Sequence, residues 1–270
     1  PETLARAMRY AVLDGGKRLR PLLVLAASEA VGGHASAALR AACSVELIHA
    51  YSLVHDDMPC MDNDVLRRGK PTVHVKFGEA DALLAGDALQ ALAFELLVPE
   101  DASQIPVTMQ AELCRLLARA AGSEGMAGGQ AIDLASVGKQ LSREQLQHMH
   151  RLKTGALLQA SVCMGVACGA ASSAVRLALG HFGTVVGLAF QVVDDILDVV
   201  ADSATLGKTA GKDAVHDKPT YVSLLGLQAA KDYAQQLHQE ALQALHASGL
   251  GEVQTARLRA LADMVVQRSN

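Results

Sequence analysis

Residues 45–62 read VELIHAYSLVHDDMPCMD, an apolar run that ends in three aspartates. The apolar part has the spacing of a buried helix, with Asp56 and Asp57 at its carboxyl end. Asp62 follows Asp56 by six residues, which would place it on a different side of a straight helix. We expect Pro59 to end or bend the helix and to bring Asp62 back toward Asp56.

A second acidic group ends another apolar run, FQVVDDILD at residues 190–198. Asp194 and Asp198 are four residues apart and therefore share one helical face. Carboxylates on an apolar helix repel one another and lose hydration, so they persist there when a cation sits between them. Oxygen ligands without Cys indicate a hard ion, Mg²⁺ first. The predicted ligands are Asp56, Asp57, Asp62, Asp194 and Asp198.

The composition favours an all-α fold. Of 270 residues, 50 % are hydrophobic and 19 % are charged, which excludes intrinsic disorder. Only 3 % are aromatic, which disfavours a β-sandwich or barrel. Ala and Leu dominate, and both favour helices. Because no linker, repeat or shift in composition divides the chain, we expect a single domain over residues 1–270. The chain opens at Pro1 inside a helix-like pattern, so we also expect native residues before it.

Hydrophobic periodicity predicts helices along almost the whole chain, and no stretch alternates with period two. Ser142 and Gln145 form a capping box that should start one of them. The uncharged stretch between Lys153 and Arg176 is long enough to span a membrane. Its Ala, Gly and Ser content favours a buried helix instead. The predicted ranges are 17–31, 35–57, 79–98, 106–120, a helix from 142, 154–170, 174–202, 219–247 and 252–268.

The overall charge limits the classes of partner. The net charge of −4 and the pI of about 6.2 leave no basic excess for nucleic acid or an anionic membrane. The five cysteines are odd in number and form no CxxC pair, which favours a reducing compartment, and we expect a cytoplasmic protein.

Basic residues accompany both acidic groups. Mg²⁺ held by few carboxylates completes its coordination with water and substrate phosphates. The segment at 16–21 opens a helix, whose first backbone N–H groups suit an anion together with Lys17 and Arg20. Arg67 and Arg68 follow the first acidic group, and Arg binds phosphate well. Lys208, Lys212 and Lys218 follow the second group. The pattern predicts a phosphate-bearing substrate.

Six motifs, in order along the chain, resemble those of the trans-isoprenyl diphosphate synthases. Val65 departs from the pattern of many members, which have another Asp there, but it lies outside the metal-binding pattern. The motifs are GKRLRP (16–21), DDMPCMD (56–62) followed by RRG (67–69), GMAGGQAIDL (125–134), KTG (153–155), FQVVDDILD (190–198) and GKTAGKD (207–213).

The resemblance implies a homodimer, each chain an all-α bundle of about ten core helices around a deep central cavity. It implies Mg²⁺-assisted condensation of isopentenyl diphosphate with dimethylallyl or geranyl diphosphate, with three ions bound beside the substrate. The departing diphosphate would take the proton. The implied catalytic residues are Asp56, Asp62, Arg67, Lys153, Thr154, Gln191, Asp194 and Lys208. The implied substrate-binding residues are Gly16, Lys17, Arg20, His49, Arg67, Arg68, Lys153, Thr154, Gln191, Lys208 and Lys218.

Three further residues allow two interpretations each. His49 lies one heptad before Asp56; a lone His on an apolar helix is usually structural, but the family pattern favours substrate binding. Asp133 is expected to support the site rather than to bind metal. Tyr51, with the small Ser52, lies one turn before the aspartates and would form the floor of the cavity for the growing chain. Alternatively, Tyr51 is only a core aromatic.

The product follows from Tyr51. An aromatic residue at this position, combined with the DDxxxxD spacing, resembles bacterial-type farnesyl diphosphate synthases. A geranylgeranyl or geranyl diphosphate synthase is the alternative within the class. A non-catalytic subunit of a heteromeric synthase is the alternative outside it, although both acidic motifs are intact. A terpene cyclase would pair its first motif with an NSE-type motif, which residues 190–200 lack.

Overall fold

Helices carry almost all of the described chain. The computed structural model describes residues 1–13, 15–101, 104–200 and 220–268. A single π-helical turn, Arg151–Gly155, leads into one helix, and a short antiparallel hairpin pairs β1 (Leu66–Arg67) with β2 (Lys70–Pro71). The α-helices are α1 (Glu2–Leu13), α2 (Leu19–Ala30), α3 (Ala35–Asp56), α4 (Val73–Phe77), α5 (Glu79–Leu97), α6 (Val107–Ala121), α7 (Met126–Ser136), α8 (Arg143–His150), α9 (Ala156–Ala167), α10 (Ser173–Val200), α11 (Tyr221–Leu225), α12 (Leu227–Ala247) and α13 (Glu252–Gln267).

The architecture confirms the predicted all-α fold, with local differences. The capping box at Ser142 is formed, and α8 begins at the next residue. The predicted helix 154–170 is instead the end of the π turn followed by α9. The predicted helix 219–247 is divided at Gly226, whose φ of +84° ends α11. This backbone angle is easy for Gly and costly for other residues.

Helix α9 lies at the centre of the bundle, in contact with α2, α3, α6 and α10. Glycines allow these backbones to approach closely. A Cβ at Gly165 would lie 2.3 Å from the carbonyl oxygen of Val24 on α2, and one at Gly187 on α10 would lie 3.0 Å from the Cα of Gly155. The second contact places α10 directly against the last residue of the π turn.

One described helix, α3, is long and apolar enough to cross a membrane by length and composition. In the most apolar 18-residue stretch of this helix, 67 % is buried inside the protein. The uncharged stretch after Lys153 contains α9, most of whose residues are buried in the bundle, as predicted.

Candidate active site

The first acidic group forms at the carboxyl end of α3. The helix ends at Asp56, and the following turn folds back so that the backbone N–H of Asp62 donates to the carbonyl oxygen of Asp56 at 2.9 Å. Asn63, with a φ of +51°, helps to reverse the chain. The predicted return of Asp62 is therefore confirmed. Burial, reinforced by the negative charge of Asp62, raises the pKa of Asp56 to about 6.

Asp57 points into the protein. Only 2 % of the residue is exposed, and its carboxylate accepts from Arg67 Nε at 2.8 Å and from a terminal guanidinium nitrogen at 2.5 Å. Burial opposes the charge of Arg67, but the bond to Asp57 and the charges of Asp57 and Asp64 outweigh it, so the pKa of Arg67 rises. The ion pair with Asp57 thus holds Arg67 beside the first acidic group, and it occupies the carboxylate of Asp57.

The second acidic group lies near the carboxyl end of α10. Asp194 and Asp198 share a face, as the spacing predicted. Asp198 is buried, and its Oδ1 has no hydrogen-bond partner in the described parts of the chain. Asp195 faces elsewhere: its carboxylate accepts from Gln191 Nε2 at 2.8 Å and from the backbone N–H of Tyr221 at 2.7 Å.

The π turn presents Lys153 and Thr154 to the same region. Lys153 Nζ lies 2.5 Å from an oxygen of Asp133, and the Thr154 hydroxyl donates to Gln191 Oε1 at 3.0 Å. Asp133 therefore positions Lys153, consistent with the supporting role predicted for it. A π turn holds one residue more than an α turn, and such turns are frequent at functional sites.

Residues around the amino-terminal end of α2 form a basic rim. Its members are Gly16, Lys17, Arg20, His49 and Arg68. Arg20 and His49 both line the cavity described below. Burial lowers the pKa of Arg20 to about 10, and burial together with four nearby arginines holds the pKa of His49 well below its usual value. The guanidinium of Arg68 rests on Gly16, where a Cβ would lie 2.8 Å from it, and donates to the carbonyl of Gly15 at 3.1 Å.

Lys17 and Arg268 join the rim to the second acidic group. Lys17 is exposed, and its pKa is lowered by partial burial and by the charge of Arg268. Arg268 lies 3.3 Å from Asp194, stacks at 3.9 Å over the ring of Phe190, and donates to the carbonyl of Phe190. Sequence reasoning missed Arg268 because it follows Phe190 by 78 residues and belongs to no motif.

A cavity of about 380 Å³ opens beside Asp56, Lys153 and Thr154. Tyr51 and Ser52 line it, as predicted. Tyr51 is buried, hydrogen-bonds Gln90, and packs edge-on against His55 at a centroid distance of 5.7 Å. His55 is held by the carbonyl of Leu83 at 3.1 Å. The wall from α7 is formed by Met126, Ala127, Gln130, Ala131 and Leu134.

The donor set fits Mg²⁺. Within the described ranges, no three His, Cys, Asp or Glu side chains converge closely enough to hold a metal ion by themselves. Mg²⁺ is commonly bound by one or two carboxylates with substrate phosphates and water, so the carboxylates near the ends of α3 and α10 suit it. A cation would give the Oδ1 of Asp198 a partner and would favour the charged form of Asp56. Lys208, Lys212 and Lys218 lie outside the described residues.

Fold and site together define an all-helical protein with acidic clusters near the carboxyl ends of α3 and α10, the first of them beside a cavity that Arg20 also lines. The chain belongs to the polyprenyl synthetase family, whose description matches residues 1–256. Trans-prenyl diphosphate synthase activity is therefore the class of reaction that this chain carries out, and prenyltransferases of this family depend on Mg²⁺.

The relatives carry two product names. The chain is 49 % identical over 271 residues to a chloroplastic geranylgeranyl pyrophosphate synthase of Capsicum annuum, covering 100 % of this chain and 73 % of the relative. It is 47 % identical over 267 residues to the farnesyl diphosphate synthase of Escherichia coli (strain K12), covering 98 % and 89 %. A geranyltransferase structure from Helicobacter pylori, complexed with magnesium and isoprenyl diphosphate, matches with a TM-score of 0.90 at 39 % identity, over 98 % of this chain and 88 % of that one.

Proposed function

We propose that this protein is a farnesyl diphosphate synthase, which condenses isopentenyl diphosphate with dimethylallyl and then geranyl diphosphate. The observation that carries the proposal is the position of Tyr51. Its buried ring lines the cavity one helical turn before Asp56, where it limits the length of an apolar chain that starts at the acidic groups. Geranylgeranyl diphosphate is the alternative product, since relatives of similar identity carry that name.

The acidic groups would hold Mg²⁺, to which the allylic diphosphate would bind. Asp56 and Asp62 on one side, and Asp194 and Asp198 on the other, are the proposed ligands for three ions. Asp57 joins them only by exchanging Arg67 for an ion, and we assign it instead to anchoring Arg67. Mg²⁺, when bound, would supply positive charge that makes the diphosphate a better leaving group.

Basic side chains of the protein bind the two diphosphates as well. Lys153, positioned by Asp133, and Arg67 stabilise the negative charge of the departing diphosphate, a role that Lys208 shares. The rim binds the diphosphate of isopentenyl diphosphate. There the neutral His49 can hydrogen-bond a phosphate oxygen, while Gly16 leaves space for Arg68. Thr154, held by Gln191, faces the carbon that becomes positive. The rim residues are Gly16, Lys17, Arg20, His49 and Arg68, with Lys218 expected to join them.

Product analysis tests the proposal. The protein is incubated with Mg²⁺, isopentenyl diphosphate and either dimethylallyl or geranyl diphosphate, and the dephosphorylated alcohols are separated by size. Farnesol as the main product supports the proposal, whereas geranylgeraniol supports the alternative. Binding of both substrates without condensation would indicate a non-catalytic subunit. Light scattering and cell fractionation test two further proposals, that the protein is a homodimer and that it is cytoplasmic.

A further inference from the structure

His55, in the last turn of α3, lies beside the ring that the proposed function assigns to product length. Its side chain lines the cavity together with Tyr51, which precedes it by four residues and so shares its helical face. The two rings pack edge-on, with centroids 5.7 Å apart and planes at 73°. His55 takes no part in the proposed reaction, so its place beside Tyr51 needs another explanation.

The imidazole of His55 is tied to the backbone of α5. Its Nε2 lies 3.1 Å from the carbonyl oxygen of Leu83. Because a carbonyl oxygen can only accept, Nε2 is the donor in this hydrogen bond. The acceptor belongs to the backbone of a helix and has no rotamers to change. The bond therefore holds the ring at a fixed point between α3 and α5.

Gly86 on α5 leaves the space that the imidazole occupies. A Cβ at this position would lie 2.0 Å from Nε2 and 2.4 Å from Cδ2 of His55. Glycine is unfavourable inside a helix compared with alanine, yet Gly86 lies in the interior of α5. Its presence is consistent with a need for room at this point, since any side chain there would push the imidazole away from Leu83.

Tyr51 has one other polar contact with α5. Its hydroxyl hydrogen-bonds Gln90. Gln90 is exposed, and exposed side chains change rotamer quickly, so this bond restrains the ring weakly. His55 contacts the ring of Tyr51 and is itself bonded to backbone. Of the two contacts, the one with His55 is therefore the one that can fix the position of the ring.

On the basis of the proposed function, we propose that His55 is a positioning residue for product length. It holds the Tyr51 ring in the place where that ring stops the growing chain. A ring that can turn aside admits one more isoprene unit, so the bond between His55 and Leu83 sets the balance between release of farnesyl diphosphate and a further condensation. His55 acts through Tyr51 and touches no reacting atom.

Two substitutions of His55 separate holding the ring from filling space. His55→Leu keeps a bulky side chain without the N–H, whereas His55→Gln keeps an N–H donor at a similar distance from the backbone. The measurement is the ratio of geranylgeraniol to farnesol formed from geranyl and isopentenyl diphosphates with Mg²⁺, at equal conversion. We expect His55→Leu to raise the ratio about three- to tenfold, the scale of one hydrogen bond, and His55→Gln to leave it close to wild type.

Gly86→Ala tests the same contact from α5 and leaves His55 in the chain. It should raise the ratio as His55→Leu does, because the imidazole can no longer reach Leu83. Gly180→Ala is the matched control, since a Cβ there would lie 3.7 Å from Cys163 Sγ, an ordinary contact. In a Tyr51→Ala background, His55→Leu should add no further shift, because the ring through which it acts is gone.

The outcomes distinguish the two proposals. An unchanged ratio in His55→Leu and Gly86→Ala, whatever their turnover, overturns the proposal for His55 and leaves it a structural residue. An equal shift by His55→Leu with and without Tyr51 also overturns it, because His55 would then act as cavity wall by itself. Wild type that forms mainly geranylgeraniol contradicts the proposed function instead.

Discussion

Tyr51 gives a direct test of product length. Replacing it with Ala removes a ring that lines the cavity about one turn before Asp56, and the space gained adjoins the proposed path of the growing chain. We expect Tyr51→Ala to shift the main product from farnesyl to longer diphosphates, with geranylgeranyl as the first of them. The measurement is chromatography of the dephosphorylated products at equal substrate conversion.

The control for this prediction is Tyr51→Phe. It keeps the ring and loses only the hydroxyl that bonds Gln90, so product length should stay as in wild type. If Tyr51→Ala also leaves the product unchanged, Tyr51 is a core aromatic and another residue sets the chain length.

The buried position of Asp56 favours metal binding but lowers the stability of the metal-free protein. Its pKa is about 6 in the folded chain against an ordinary value of 3.8, because burial disfavours the charged form. The folded state therefore binds more protons than the unfolded state between these values, and stability falls as the pH rises through that window. Without metal, Asp56→Asn should be about 1–3 kcal/mol more stable than wild type at pH 7.5, and the gain should vanish near pH 4.

Urea unfolding in the presence of a chelator measures this difference. The matched control is Asp87→Asn on the exposed side of α5, which should show no gain. The same Asp56→Asn protein should lose most of its turnover, since it lacks a proposed metal ligand. Equal or lower stability than wild type at pH 7.5 would show that Asp56 is not destabilised by burial.

Among the contacts between elements, the one between α7 and the π turn requires a residue without a side chain at Gly129. A Cβ at Gly129 would overlap the backbone of Lys153, and backbone cannot move aside as a long side chain can. We expect Gly129→Ala to destabilise the protein by about 1–3 kcal/mol. Turnover should fall more than stability alone explains, because the Lys153–Thr154 pair moves.

Gly180→Ala on α10 is the comparison. A Cβ there would lie 3.7 Å from Cys163 Sγ, an ordinary contact, and Ala favours a helix interior by up to about 1 kcal/mol. Urea unfolding and steady-state turnover of both variants decide the matter. A neutral Gly129→Ala would mean that α7 and the π turn can separate at no cost.

Local signals predicted some elements well and others poorly. The capping box at Ser142 announces α8 because its hydrogen bonds are made within four residues. The π turn has no such signal, because an i to i+5 bond needs no particular residue and is selected by contacts with α7 and α10. The periodic pattern predicts a continuous helix through Gly226, since Gly inside such a pattern does not reveal its φ.

The ion pair between Arg268 and Asp194 links distant parts of the molecule. It joins the residue after α13 to the acidic end of α10. A guanidinium on a proposed metal ligand competes with the ion. We expect Arg268→Gln to lower the Mg²⁺ concentration for half-maximal turnover about two- to fivefold, the range of a partly exposed ion pair. A Mg²⁺ titration of steady-state turnover measures it.

Arg257→Gln provides the reference. Its exposed pair with Glu29 lies away from the acidic groups, so the Mg²⁺ requirement should not change. An unchanged or higher requirement in Arg268→Gln would mean that Arg268 assists the site rather than competing for Asp194.

The candidate site shows where prediction from sequence stops. Asp56, Asp62, Asp194 and Asp198 could be chosen because spacing along one helix or one turn fixes their relation. The pairing of Arg67 with Asp57, rather than with a substrate, depends on how the hairpin folds over α3, and spacing does not express that.

The chain has no Trp and only four Tyr, one of which, Tyr51, lines the cavity. Tyrosine therefore dominates its near-ultraviolet signal, and Tyr51 is the tyrosine that lines this cavity. Entry of an apolar chain exchanges solvent for hydrocarbon at that ring. The protein thus carries its own optical reporter of cavity filling, and Tyr51→Phe provides the blank against which to read it.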